Sequence, residues 1–321
     1  MSNSNFKKAN VALSLLVTAV VLVAGCAAPK DPSYVQYITP AKDTQNFQSS
    51  IVLQGPSEPG IPILGYLDTN YVGTEPYGMM YPAGDLATGV AAVLTHSFIV
   101  EKQKDGLRKE AYVKANFVAS PYKPHFSNYS IRQWLQTTLP NINHTVSGKN
   151  ISVTDNQQGN AELVFSFQPT FFIYQDQKNI EVRNAIRIYD KLKPNHVLYQ
   201  NIVEVVSNDA IGEPNSYWLN NDAKNLEAIG KELFEISLVT GLKDYYALFQ
   251  NPSKEKTFKI DQGGIISFER GTLVYADCDR FTVRMLRGWL KSLPKKAGLN
   301  LGKDSIGCST ANAVSSTDTL K

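Results

Sequence analysis

The chain of 321 residues is 43% hydrophobic and 19% charged, with 16 Tyr and 14 Phe, a mixture that excludes intrinsic disorder and puts most of the chain in a folded body. Its 32 Lys and Arg stand against 29 Asp and Glu, too even a balance for the broad basic surface of a nucleic-acid binder. His96, His125, His144 and His196 are scattered, without the HExxH or CxxC spacing of a zinc site, so neither a metal nor another cofactor is expected.

In chain order, Lys7 and Lys8 precede a run from Val11 to Val23 that only Ser14 and Thr18 interrupt. A bilayer-spanning helix takes roughly 20 apolar residues. This shorter run ends in small side chains rather than in clustered charge, so it reads as a cleaved secretory leader, residues 1–25. The Val23-Ala24-Gly25-Cys26 that closes it resembles the lipobox of bacterial lipoproteins. The resemblance implies that the Cys26 thiol receives a diacylglyceryl group, that the preceding bond is cut, and that the new amino terminus is acylated. Several chains on one residue, at about 0.8 kcal/mol per buried methylene, hold a protein to a membrane lastingly. In the same family an aspartate after the cysteine retains the protein at the inner membrane, so Ala27 implies the outer membrane. Removing Lys7 and Lys8 with the leader leaves 30 cations against 29 acids.

Residues 26–50 carry Pro29, Pro32 and Pro40 and no periodicity, and read as a flexible tether to a body at 51–250. Ile61 to Gly84 is rich in Gly, Pro and Tyr, a long loop that either packs its tyrosines on the body or presents them for recognition. Asp85 caps an expected helix from Leu86 to about His96, and Ala111 to Val118 reads as a strand. Ile131 to Leu139, with Trp134 and Leu135, reads as a helix ending before Pro140. Strict alternation marks strands at Leu163–Phe167, Val182–Ile188 and Val197–Val205, the last two joined as a hairpin across Lys191–Asn195. Asn221-Asp222 opens a helix with Leu226, Ile229, Leu233 and Ile236 on one side and Gly241 at its end. The expected fold class is α+β, a mostly antiparallel sheet with helices on one face.

A change of texture near Asn251 to Gln262 predicts a small C-terminal hairpin-helix unit, 251–308. Its hairpin would turn at Glu269-Arg270-Gly271, and its helix would run from Asp279 to Leu293. On that helix Arg280, Arg284, Arg287, Lys291 and Lys295 recur at i, i+4, i+7, i+11 and i+15, opposite Met285, Leu286, Trp289, Leu290 and Leu293. Such a basic stripe is either a solvated face or a contact for an anionic surface. With Cys26 lipidated, Cys278 and Cys308 remain as a pair for a disulfide worth roughly 3 kcal/mol in an oxidising compartment. Residues 309–321 are small and polar and read as a disordered tail.

The sequence holds no GxSxG elbow, no Gly-rich phosphate loop ending in GK[ST] and no GxGxxG fingerprint. His96 and Ser97 are adjacent on the expected helix and so point about 100 degrees apart, the wrong geometry for a base and its nucleophile. Asp277 and Asp279, flanking Cys278, form a carboxylate pair of unknown separation. The expectation is therefore a lipid-anchored protein on the periplasmic face of the outer membrane, without catalytic residues, binding another envelope protein as an accessory. A lipid-tethered periplasmic hydrolase, assembled from scattered acids and histidines, is the alternative.

Overall fold

The structure, a computed structural model, describes residues 37–39, 50–56, 60–66, 113–146, 152–154, 161–249, 252–262 and 264–298. The leader and Cys26, the helix expected at Leu86–His96, Cys308 and the 309–321 tail lie outside these residues. The elements in chain order are β1 (Ser50–Gln54), β2 (Ile63–Gly65), α1 (Lys123–Asn128), α2 (Ile131–Val146), β3 (Ser152–Thr154), β4 (Leu163–Ile173), β5 (Ile180–Asp190), β6 (Lys193–Val206), α3 (Pro214–Tyr245), β7 (Lys256–Gln262), β8 (Ile265–Ala276), β9 (Arg280–Met285) and β10 (Leu290–Pro294).

All ten strands share one sheet in the order β3-β1-β4-β5-β6-β10-β9-β8-β7, with β2 also beside β4. The α+β class holds, but the sheet is mixed rather than mostly antiparallel. β1 runs parallel to β3 and β4, β2 to β4, and β10 to β6. Parallel neighbours need a long crossover, and the chain between β6 and β10 supplies one through α3 and three more strands. The C-terminal strands thus extend the sheet of the body.

The alternating strands were the most legible elements. β5 sends Ile180, Val182, Asn184, Ile186 and Ile188 to the face covered by α3, and Glu181 and Arg183 to the other. β4 is buried along its whole length, which matches its near-continuous apolar text. Its Pro169 falls between the residues paired with β1 and those paired with β2. The main core joins Phe165, Phe167 and Phe171 to Trp134 of α2 and to Trp218, Phe234 and Leu238 of α3.

Three helix boundaries differ from expectation. Residues 113–118 are helical rather than extended. α2 runs through Pro140 to Val146. α3 starts at Pro214, where Glu213 accepts the Ser216 N–H at 2.7 Å, and breaks at Asn220–Ala223, so its long second stretch does begin near Asn221-Asp222. That stretch passes through Gly241 instead of stopping there, because Gly241 is the place where Ile186 of β5 presses on the helix. A Cβ there would meet the terminal methyl of Ile186, which would have to turn aside.

The real stop lies at Ala247, whose φ of 51° is left-handed. Its N–H donates to the Asp244 carbonyl at 3.1 Å and that of Leu248 to Lys243 at 2.8 Å, the paired bonds of a Schellman end. Alanine pays for this conformation and glycine does not, and the position is exposed. Ala247→Gly is therefore expected to raise the unfolding free energy by about 1 kcal/mol in urea titration. A loss of stability would contradict the assignment of this end.

The C-terminal text forms strands, not a hairpin and a helix. β8 continues unbroken through Glu269-Arg270-Gly271, and Gly271 is the point where the Arg284 backbone of β9 comes close. Residues expected as helix are β9 and β10, joined by a turn in which Gly288 has φ 88°. β7 to β10 form a meander that curls until Ile260 bridges Gly298. Phe258, Ile260, Leu273, Phe281, Val283 and Leu293 fill it, together with Tyr174 and Val206 from the strands before.

Candidate functional site

At one end of the sheet the β4–β5 turn, the end of β6, the β7–β8 turn and the chain after β10 converge on a cleft of about 310 Å³. Lys178, Asp209, Asp261 and Lys296 stand in its lining with Asn179, Ser207 and Gln262. No sequence motif marks it, because these residues come from four segments far apart in the chain and only the topology brings them together. Asn179 donates from Nδ2 to the Ser207 carbonyl at 3.2 Å and to Asp209 Oδ1 at 2.9 Å. Lys296 reaches Asp209 Oδ2 at 3.1 Å. Burial would raise the Asp209 carboxyl, but the bonds from Asn179 and Lys296 bring it below its ordinary value. The Asn179 Oδ1 and Gln262 Nε2 atoms are shut off from solvent and have no hydrogen-bond partner among the described residues.

Behind the cleft, a row of charge crosses the face of the sheet opposite α3. Arg183 pairs with Glu181 and lies 3.6 Å from Glu204. Lys291 lies 3.7 Å from Glu204 and 3.9 Å from Glu269. The register dictates this row, since Arg183 faces Glu204 on β6 and Glu204 faces Lys291 on β10. Tyr174 donates to Glu181 at 2.7 Å, and the Tyr66 ring stacks on Tyr174 at 4.2 Å. Burial works to raise the Glu181 carboxyl, yet Arg183, Lys291 and the Tyr174 hydroxyl together hold it below the ordinary range. For Glu204 burial prevails and the carboxyl is raised. Burial would also lower Lys291, but Glu204, Tyr66, Glu181 and Glu269 keep it above the usual ammonium value.

The expected basic stripe is therefore dispersed over two faces. Alternation in β9 and β10 sends Arg280 and Arg284 one way and Lys291 the other. Arg280 donates to the carbonyls of Val206 at 2.7 Å and Ser292 at 3.0 Å. Arg284 pairs with Asp244 of α3, which also accepts from Tyr199 at 2.8 Å and Asn201 at 3.1 Å. Lys295 donates to the Asp277 carbonyl at 3.0 Å, and Arg287 is exposed in the turn after β9. No single face presents the five cations. Asp277, half of the carboxylate pair, accepts the N–H groups of Asp279 and Arg280 at 2.8 and 2.7 Å and so forms a turn.

Residues 37–39, expected within a free tether, are docked. Ile38 bridges Gln200 on β6, the Tyr37 ring lies on Gly288, and its hydroxyl accepts from Arg284 at 2.8 Å. Cys278 is disulfide-bonded, with its partner outside the described residues.

Among the described residues no helix is long and apolar enough to cross a membrane, and no three His, Cys, Asp or Glu side chains group to hold a metal ion. No protein-family model matches the chain, and no curated protein is similar to it.

Proposed function

We propose that this is a lipid-anchored lipoprotein on the periplasmic face of the outer membrane, a non-enzymatic accessory that holds another envelope protein at the cleft beside β6 and β7. The observation that carries the anchor is the run from Lys7-Lys8 through Val11–Val23 to Val23-Ala24-Gly25-Cys26. The docking of residues 37–39 supports it from the other side, since it fixes to the body a segment close in sequence to Cys26. The proposed pairing of Cys278 with Cys308 agrees with an oxidising compartment.

The hydrolase alternative has one observation in its favour, two carboxylates, Glu181 and Glu204, whose proton affinities are pushed in opposite directions. Both are buried in the sheet and already bonded to Arg183, Lys291 or Tyr174, as strand-to-strand ties are. The binding reading is therefore preferred.

Cys26→Ala is expected to accumulate as unprocessed precursor and to lose incorporation of labelled fatty acid. Undiminished label would overturn the anchor. Crosslinking in intact cells should then capture an envelope protein, with crosslinks from the cleft rim at Lys178 or Lys296.

A further inference from the structure

We propose that residues 37–39 form a latch on the lipid leash: closed, it holds the body by the stretch from Cys26 to Tyr37, and open, by the longer stretch from Cys26 to Ser50 of β1. The leash rests on the anchor proposed above, while the latch rests on contacts in the body. Ile38 and Gln200 exchange both main-chain bonds, the Ile38 N–H donating at 3.0 Å and the Gln200 N–H at 3.2 Å. The Tyr37 hydroxyl accepts from Arg284 at 2.8 Å, the Arg284 guanidinium lies 5.4 Å from the centre of the Tyr37 ring, and Tyr199 meets that ring edge-on at 6.5 Å. Gly288 is the seat, since a Cβ there would come within 2.3 Å of the ring.

The seat is built without Tyr37. Asp244 holds Arg284 and accepts from Tyr199 and Asn201, and Asn201 fixes the Gly288 carbonyl at 3.2 Å. A socket preorganised in this way lets the segment leave and return without rebuilding the sheet. The segment in turn is a single bridge and not a strand. β10 takes the edge of β6 from Val203 onward, and Pro40, two residues after Ile38, has no N–H with which to continue the pairing. Tyr37 and Ile38 are half-buried and Thr39 is exposed, so few bonds and little area hold the latch, the mark of a segment that opens well before the fold does. Its opening changes reach. The 11 residue steps from Cys26 to Tyr37 span at most about 36–40 Å, and the 24 from Cys26 to Ser50 about 79–86 Å.

The test uses the protein at its processed length in a supported bilayer of phosphatidylethanolamine and phosphatidylglycerol, with neutron reflectometry reading the height of the body. Ile38→Pro removes the donor of the bridge and Tyr37→Ala empties the seat, the second covering a proline variant that fails to fold. Either is expected to raise the mean height, by up to about 1.5-fold for the span of a flexible leash, with the thermal midpoint nearly unchanged. Hydrogen exchange in detergent should show the Ile38 and Gln200 amides of the wild type slowed at least about tenfold against an unbonded amide, and that protection gone in Tyr37→Ala. Equal heights for the wild type and both variants, or unprotected amides in the wild type, would overturn the latch. Failure of the wild-type protein to attach to the bilayer would overturn the anchor, and the leash with it, even with Ile38 protected.

Discussion

Lys291→Met is expected to lower the unfolding free energy by about 3–5 kcal/mol, the cost of removing one partner from a buried set of charges. Lys291 is 4% exposed, and without its ammonium Arg183 remains the one cation of the row, shared by Glu181 and Glu204, while Glu269 loses its contact with Lys291. Methionine preserves most of the packing volume, so the loss reports charge. Adding Glu204→Gln to the same chain should recover much of it. Glu204 already holds its proton more firmly than a free carboxyl, so a neutral isostere suits that position better than an unpaired anion. The measurement is urea unfolding of the single and double variants. A single-variant loss under about 1 kcal/mol would show that water, not Lys291, balances these carboxylates.

A second large effect is expected in alkali. Burial raises the phenols of Tyr174, Tyr199 and Tyr245, the last to about 12. Tyr174 and Tyr199 also donate to Glu181 and Asp244, and a phenolate would face those carboxylates directly. The folded state therefore binds these protons more tightly than the unfolded chain, in which tyrosine titrates near 10. Their contribution is complete below about pH 10 and is lost as pH rises through the raised values. Each tyrosine contributes a slope of about 1.4 kcal/mol per pH unit in that window, and the three together about 4. Lys291, also raised, acts with the same sign. Against a usual total of about 5–15 kcal/mol, cooperative unfolding is expected between about pH 10.5 and 12. Phenolate absorbance and far-ultraviolet circular dichroism should change together, and Tyr199→Phe should flatten the slope. Phenols that ionise near pH 10 in an intact fold would refute this account.

The sequence was most readable where one physical rule acted alone. β5 and β6 separate a helix-covered face from a charged one, so their alternation survives into the text, and the buried β4 reads as an apolar run. The C-terminal strands misled because two periods coexist there. The cations fit a helical repeat, yet Phe281 and Val283 alternate with Arg280, Thr282 and Arg284, and Gly288 sits at the centre of the supposed helix. Period two with a glycine turn was the correct reading. Gly241 and Gly271 carried the opposite trap. Both look like punctuation but serve close approach, to Ile186 and to the Arg284 backbone, which only tertiary contact reveals. The cleft was invisible for a further reason: it is lined from four separate segments, and a sequence does not record which segments the topology brings together.

The parallel seam between β6 and β10 also sets an order of events for the growing chain. β4, β5 and β6 follow one another through short turns and can zip together as they emerge. Val203, Glu204 and Val205 then wait for Leu290, Lys291 and Ser292, with α3 and three strands still to come. Tyr37 waits as well, because Gly288, on which it rests, belongs to the last turn but one of the described chain. A polypeptide delivered N-terminus first thus carries a bare strand edge throughout that interval. Its greatest exposure to mispairing belongs to its passage, before the finished sheet exists.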